Sequence, residues 1–292
     1  MSSIACCLRR STELEAHSDT ARLDVELLLA DSLGRDRTYL RTWPERQLSD
    51  SQLQQFEQAM RRRLAGEPIA HILGYRDFWT LRLAVNPSTL IPRPDTETLV
   101  EQALELFDPE QRIELLDLGT GTGAIALALA SECPKWRVTA VDVADDAVAL
   151  AKQNRDSHGL NQVQILHSDW FGALAERRFE LIISNPPYIA YGDHHLSEGD
   201  VRFEPDSALT ADRQGMADIE HIADCARAHL CPAGWLLFEH GYDQAARSRD
   251  CLRTLGYVDV ASIKDLAGIE RATLGRWPAD ALVPAINNPP IE

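Results

Sequence analysis

No run of eighteen apolar residues occurs anywhere in the 292-residue chain, so no membrane-spanning helix is expected. Near the start, Cys6 and Cys7 stand close to Arg9 and Arg10 without the apolar stretch and cleavage pattern of a secretory signal, and a cytoplasmic protein is expected. The six cysteines (Cys6, Cys7, Cys133, Cys225, Cys231, Cys251) make no Cys-x-x-Cys pair. They read as core or incidental thiols, and no metal site is expected. Positive charge is also scarce: 29 Lys and Arg face 45 Asp and Glu, for a net charge of -16. Affinity for a nucleic-acid backbone comes mostly from Lys and Arg displacing counterions. Direct nucleic-acid binding is therefore not expected, and an acidic surface suits a protein or small-molecule substrate better. A monomer is expected.

What the chain does have, with 45% apolar and 25% charged content, is enough core-forming material for one large domain and one small one. Apolar residues recur at helical spacing between Leu14 and Leu64, as in Leu23, Leu27 and Ala30, then Leu53, Phe56, Met60 and Leu64. This predicts a small helical domain over residues 1–68. Gly34 closes one helix, Ser49 or Asp50 caps another, and Gly66-Glu67-Pro68 ends it. Arg61-Arg62-Arg63 reads as a solvated helix face.

Over residues 69–91 the pattern shifts to aromatic and β-favouring types. Phe78-Trp79-Thr80-Leu81, flanked by the turn-like Tyr75-Arg76-Asp77 and by Asn86-Pro87, predicts a connecting β-hairpin. The prolines of Ile91-Pro92-Arg93-Pro94-Asp95-Thr96-Glu97 then hold an extended segment that releases into a helix reaching about Phe107. Asp95 or Thr96 is a candidate cap for that helix, and Arg93 and Glu97 are candidates for an ion pair.

From Arg112 onward, strand-like runs alternate with helical segments, the pattern of a mostly parallel sheet covered on both faces. Strands are expected at Ile113–Leu118, Arg137–Val143, Val163–His167, Phe179–Ser184, Trp235–His240, Tyr257–Ile263 and Ala272–Trp277. Helices are expected around Ala124–Ser131, Asp145–Ser157 and Asp212–Leu230. The predicted fold class is α/β, with a Rossmann-like seven-stranded domain over residues 92–280. Prolines and weak periodicity from Pro278 onward predict a flexible tail, taken as 281–292.

Leu115-Leu116-Asp117-Leu118-Gly119-Thr120-Gly121-Thr122-Gly123 joins an apolar strand to a small-residue helix, where such a sheet opens its ligand crevice. By itself the loop is ambiguous, because Gly119, Gly121 and Ala124 also satisfy the dinucleotide fingerprint, and Asp142 suits a ribose under either reading. Three features favour a methyl donor without pyrophosphate. Asp117 would repel a pyrophosphate but accept hydrogen bonds from an amino group. Ser168-Asp169-Trp170 can bracket an adenine edge and face. The fourth strand, Leu181-Ile182-Ile183-Ser184, ends in Asn185-Pro186-Pro187-Tyr188, a sequence with its own chemistry.

An amide or aromatic-amine nitrogen has a delocalised lone pair and attacks a methyl group only when held in line and desolvated. The Asn185 side-chain oxygen and the Pro186 carbonyl, aimed by a stiff Pro-Pro backbone, can take the two N–H groups of such an acceptor. The Tyr188 ring can stack on its flat face. Asn185, Pro186 and Tyr188 are thus the candidate catalytic residues, and Asn185 to Tyr188 the acceptor site. In isolation Asn-Pro-Pro-Tyr reads as a rigid turn; about sixty residues after a glycine-rich loop, at the rim of the same sheet, it reads as an active site.

With both motifs in hand, the chain resembles the PrmC/HemK family of protein-(glutamine) methyltransferases acting on peptide chain release factors. The resemblance spans nearly the whole length. It includes Gly66-Glu67-Pro68-Ile69-Ala70-His71-Ile72, the Ile91 to Glu97 segment, Asp117 to Gly123, Asn185 to Tyr188, Asp200-Val201-Arg202-Phe203-Glu204-Pro205 and Phe238-Glu239-His240-Gly241. It implies a class I methyltransferase domain and S-adenosyl-L-methionine as methyl donor, yielding S-adenosyl-L-homocysteine. The acceptor it implies is the glutamine of a release factor Gly-Gly-Gln loop, with the helical domain helping to hold that partner. By motif matching, Gly119, Thr120, Gly121, Thr122, Gly123, Asp142, Trp170 and Asn185 contact the cofactor; the residue reading adds Asp117 and Asp169. Alternatives are a DNA or RNA amino-methyltransferase, a glutamine methyltransferase of a ribosomal protein, and a non-catalytic binding module. Glu204-Pro205 is a candidate flap over the acceptor, and His194-His195 reads as a solvated loop.

Overall fold

The computed structural model describes residues 2–197 and 199–280; the tail expected over 281–292 lies outside them. Two compact units are present. One comprises the chain up to Tyr75 together with His194–Phe203, the other Arg76–Asp193 together with the chain from Glu204 onward. No described helix is long and apolar enough to cross a membrane.

The first unit is helical: α1 (Ile4–Leu8), α2 (Ala21–Leu33), α3 (Arg37–Thr42), α4 (Asp50–Leu64) and α5 (Ile69–Leu73). Its core gathers Ile4, Leu14, Val25, Leu28, Phe56 and Met60. Helix α2 ends on Gly34 at φ 58°, a left-handed geometry that glycine, lacking a Cβ, adopts without strain. Helix α4 starts in a capping box, with the Gln52 N–H donating to Ser49 Oγ and the Ser49 N–H to Gln52 Oε1. The arginine run departs from expectation. Arg63 is buried, donating to Asp24 at 2.8 Å and to Asp200 at 3.1 Å, and Arg62 pairs with Glu67. Only Arg61 is left as solvated face.

The hairpin is shorter than its sequence pattern predicts. Ile69–Leu73 forms α5, closed by Gly74 at φ 79°. Tyr75-Arg76-Asp77 lies within β1 (Tyr75–Phe78), and the turn falls at Trp79-Thr80 before β2 (Leu81–Ala84). Trp79 takes φ 54°, which supplies the reversal that the preceding residues were expected to make.

The second unit continues with α6 (Glu97–Leu106), β3 (Glu114–Leu118), α7 (Ala124–Glu132), β4 (Arg137–Asp142), α8 (Asp145–Ser157), β5 (Gln164–His167), β6 (Phe179–Ser184), β7 (Ile189–Ala190) and β8 (Thr210–Ala211). Then come α9 (Asp212–Gly215), α10 (Ala217–His229), β9 (Leu230–Glu239), α11 (Ala245–Thr254), β10 (Val258–Lys264) and β11 (Glu270–Arg276). Seven strands form one sheet in the order β10-β11-β9-β6-β3-β4-β5. The five from β9 to β5 are parallel, and β11 runs antiparallel to β9 and β10. All seven expected strands are therefore present. The single helix expected over Asp212–Leu230 is split, because Arg213 and Gln214 take left-handed φ of 54° and 59°.

The strands are apolar throughout because both faces are covered. Leu115, Leu181 and Ile183 face one cluster with Ile125, Leu127 and Leu129 of α7; Leu116, Ile182, Leu236 and Phe238 face another with Ile219, Ile222 and Ala226 of α10. Each such leucine or isoleucine contributes about 1.5–3 kcal/mol on burial. After β3 the chain passes to β4 on one side, whereas β6 lies on the other, so a crevice opens beyond the carboxyl ends of these strands. Leu118 is in register with Ser184, which sets the loops after β3 and β6 side by side.

Candidate active site

The loop after β3 is built from glycine conformations and side-chain anchors. Gly123 takes φ 85°, and a Cβ there would stand 3.1 Å from Leu127 Cδ1, so only glycine lets α7 begin at this point. Asp142, at the end of β4, accepts from Gly121 N at 2.9 Å and from Ala144 N at 3.0 Å. From α8, the fully buried Asn154 donates to the Thr122 carbonyl at 2.9 Å and the Ala84 carbonyl at 3.0 Å, and accepts from Ala84 N at 2.7 Å. One amide thus ties β2 to the glycine-rich loop.

A cavity opens over this loop. Of the residues expected to contact a cofactor, Gly119, Thr120, Gly121, Thr122, Asp142, Asp169, Trp170 and Asn185 line it, as does Pro187 from the acceptor motif. Asp117, Gly123, Pro186 and Tyr188 do not form its wall. Asp117 stands fully buried beneath the loop, where Thr120 Oγ1 donates to its Oδ2 at 2.6 Å. Near the carboxyl end of β3, it meets the loop through Thr120 and does not itself line the cavity. Burial pushes its carboxyl up to about 7, the Thr120 hydroxyl opposing. Its Oδ1 has no protein partner.

The wall is acidic. Asp142, Asp169 and Asp218 face it, and among the described residues its one basic side chain is Arg93. Burial, then the neighbouring Asp169, raises the Asp218 carboxyl above the usual carboxylate range against the pull of His221. Arg93 is already committed. It donates to Glu204 at 2.6 Å, and Glu204, itself buried, also accepts from Ile91 N at 2.9 Å. The candidate Arg93–Glu97 pair does not form; Glu97 accepts from Trp79 N. Trp170 takes a left-handed φ of 43°, and the Ser168 hydroxyl braces the turn by donating to the Trp170 carbonyl at 2.8 Å. Backbone strain of this kind collects at functional sites.

The acceptor motif sits on a buried polar network. Asn185 Nδ2 donates to Thr96 Oγ1 at 3.1 Å. Tyr188 Oη donates to Glu239 Oε1 at 3.0 Å. Thr96, one of the two candidate caps for α6, makes no side-chain cap; its hydroxyl accepts from Asn185 instead. Burial, followed by the Glu239 charge, pushes the Tyr188 phenol well above its ordinary value. Behind the motif, Gln244 Nε2 donates to the Tyr188 carbonyl at 2.9 Å. Gly215, at φ 78°, lies so close that a Cβ would overlap that carbonyl oxygen.

Sequence reasoning missed Asn154, Thr96, Glu239 and Asp218. Asn154 had a usable signal, a polar residue on the apolar stripe Ala147, Leu150, Ala151 of α8. Glu239 had another, an acid directly after Leu236-Leu237-Phe238. His194 and His195 are both exposed.

Residues 9–74 match the PrmC N-terminal domain family and residues 96–199 the methyltransferase small domain family. A Shewanella oneidensis protein named release factor glutamine methyltransferase is 55% identical over 265 residues, covering 91% of this chain and 92% of its own. The Escherichia coli protein of that name is 52% identical, covering 91% and 95%. The crystal structure of a methyltransferase from Pyrococcus furiosus superposes with a TM-score of 0.54 at 20% identity, over 76% of this chain and 99% of that one, a likeness of fold.

Proposed function

The chain belongs to the release factor glutamine methyltransferase family, and from that premise we propose that it transfers a methyl group from S-adenosyl-L-methionine to the glutamine side-chain amide in the Gly-Gly-Gln motif of peptide chain release factors. The observation that carries this reading is the meeting of two loops at one rim, with Asn185 on the wall of the cavity that Gly119–Thr122 and Asp142 also line.

The charge of that cavity fits the cofactor. S-adenosyl-L-methionine carries a sulfonium and an ammonium against one carboxylate, and the wall offers Asp142, Asp169 and Asp218, with Arg93 paired to Glu204. The same wall opposes a pyrophosphate. Asp142 would hold the ribose hydroxyls, Trp170 with Asp169 the adenine, and the glycine-rich loop the remainder. When bound, the cofactor supplies an electrophilic methyl group and leaves as S-adenosyl-L-homocysteine.

The remaining work falls to the chain's own residues. Asn185 Oδ1 and the Pro186 carbonyl accept the two N–H groups of the glutamine amide and fix its plane; Tyr188 and Pro187 supply rigid, apolar surroundings that exclude water. The nitrogen becomes cationic as it takes the methyl group and then releases a proton, so no separate base is required. Residues 1–68 hold the release factor, 69–91 link, and 92–280 catalyse. The acidic composition supports a protein acceptor over a nucleic acid, and the site of action is the cytoplasm.

Asn185→Ala tests the reading. Turnover of labelled methyl groups onto release factor is expected to fall at least 100-fold, about 2.7 kcal/mol of lost transition-state stabilisation, with the melting temperature kept within a few degrees. Near-normal turnover would overturn it.

A further inference from the structure

We propose that Gln244 is a positioning residue of the acceptor site: its side-chain amide joins the Tyr188 carbonyl to a strained left-handed turn and so fixes where the Tyr188 ring stands. The proposal rests on the reading of Asn185 to Tyr188 as the acceptor site and adds what holds that site in place.

The two ends of a primary amide have nearly the same shape, so hydrogen-bond partners alone tell its oxygen from its nitrogen. Here every partner is a backbone group of fixed character. The Gly241 N–H can only donate, and it meets Gln244 Oε1 at 2.8 Å. The Tyr188 and Gln214 carbonyls can only accept, and Nε2 donates to them at 2.9 Å and 3.2 Å. Turned over, the amide would set donor against donor and oxygen against two oxygens. Gln244 is buried, so water would not relieve the mismatch.

The local backbone is shaped around this amide. Strand β9 ends at Glu239, and Gln244 N donates to the Gly241 carbonyl at 3.0 Å in the turn that opens α11. Two glycines flank the side chain. A Cβ on Gly241 would stand 3.2 Å from Gln244 Oε1, and one on Gly215 would stand 2.6 Å from Nε2 as well as overlapping the Tyr188 carbonyl. Arg213, Gln214 and Gly215 take φ of 54°, 59° and 78° in succession. At the first two, which carry a Cβ, that geometry is strained and persists only where the surroundings hold it. Gln244 holds the Gln214 carbonyl, and Arg247 holds the Arg213 carbonyl at 3.1 Å.

The strain has a visible return. It interrupts the helix expected over Asp212–Leu230, and in exchange it seats Gly215 against the Tyr188 carbonyl. Tyr188 is then gripped at both ends by the stretch from Glu239 to Gln244, its hydroxyl by Glu239 at 3.0 Å and its carbonyl by Gln244. Neither grip depends on the cofactor cavity, whose wall does not include Gln244.

The test compares Gln244→Glu, Gln244→Met and Asn185→Ala in the full chain, with release factor as acceptor, at about pH 8 and at a temperature where circular dichroism shows every variant folded. The readouts are kcat, KM for release factor, and cofactor affinity from tryptophan quenching. Glutamate keeps the acceptor for Gly241 N and replaces the donors to Tyr188 and Gln214 by an oxygen; methionine keeps the length and removes all three bonds. Both are expected to lower kcat roughly 10- to 100-fold, by the sensitivity of aligned reacting groups to small shifts, while cofactor affinity and KM stay within about 3-fold. If Gln244→Glu does not fold, Gln244→Met carries the same comparison. A role confined to bracing the turn at Gly241 would leave Gln244→Glu with parental kcat. Parental kcat in either folded Gln244 variant, beside an inactive Asn185→Ala, would overturn the proposal and leave the acceptor site standing. A loss of cofactor affinity as large as the loss of kcat would also overturn it. An active Asn185→Ala would instead overturn the reading on which the proposal rests.

Discussion

Asn154→Asp is a stringent test of how the cofactor loop is held, because it changes hydrogen-bond character while keeping size. Asn154 is fully buried in α8, accepts from Ala84 N and donates to the carbonyls of Ala84 and Thr122. The introduced carboxyl retains the first bond and replaces both donors by an oxygen facing two carbonyl oxygens. Each buried carbonyl left without a donor costs about 1–3 kcal/mol, so the loss is of the order of 2–6 kcal/mol. A protonated carboxyl recovers one donor, which keeps the figure towards the middle of that range. For a domain of this size about 2–4 °C accompanies each kcal/mol, giving a fall in melting temperature on the order of 10 °C at neutral pH. Thr122 is released along with β2, so cofactor binding weakens as well, by roughly tenfold if about 1.4 kcal/mol of the loss is felt at the loop. Differential scanning calorimetry reads the first quantity and titration of tryptophan fluorescence the second. Part of the lost stability should return as pH falls and the carboxyl regains its proton. A melting temperature within 2 °C of the parent, or a pH response of opposite sign, would refute the reasoning.

Two further perturbations probe the same rim. The Asp117 carboxyl is raised by burial from its ordinary 3.8 to about 7. Between those values the folded chain holds a proton that the unfolded chain has lost, so stability falls as pH rises through the interval and levels off above it. Urea unfolding of the parent against Asp117→Asn, which does not titrate, should show that relative decline between about pH 4 and pH 7; parallel curves would count against it. Gly215→Ala places a Cβ into the Tyr188 carbonyl at φ 78°. Displacement of Tyr188 is expected to cut turnover more than tenfold by the sensitivity of aligned reacting groups to small shifts, while unaltered kcat would show that Gly215 does not hold the motif in place.

The framework of this fold was legible because its determinants are local. Apolar runs such as Leu181-Ile182-Ile183 announce buried parallel strands, and Gly119 to Gly123 and Pro186-Pro187 write their backbone geometry into residue type. Short or weakly patterned elements escaped. Helix α11 buries only Ala245, Ser248 and Leu252, too narrow a stripe to separate from a polar loop, and α5 spans a single turn of apolar residues that also suit a strand. The polar network escaped for another reason. Thr96 and Asn185 are 89 positions apart, Asn154 and Ala84 are 70 apart, and Tyr188 and Glu239 are 51 apart. A threonine near a helix start is read as a cap until the strand it faces is known. Arg63 misled similarly: its run of three basic residues suggests a solvated face, and only the buried Asp24, 39 positions away, makes it an internal ion pair.

The central claim is that the rim formed by Asn185 to Tyr188 methylates the glutamine amide of a Gly-Gly-Gln loop. The most direct measurement is incubation of the protein with methyl-labelled S-adenosyl-L-methionine and either release factor or stripped nucleic acid, followed by peptide mass mapping. The account requires label in the release factor alone, on the side-chain nitrogen of that glutamine; label on nucleic acid, or on any other release factor residue, would contradict it.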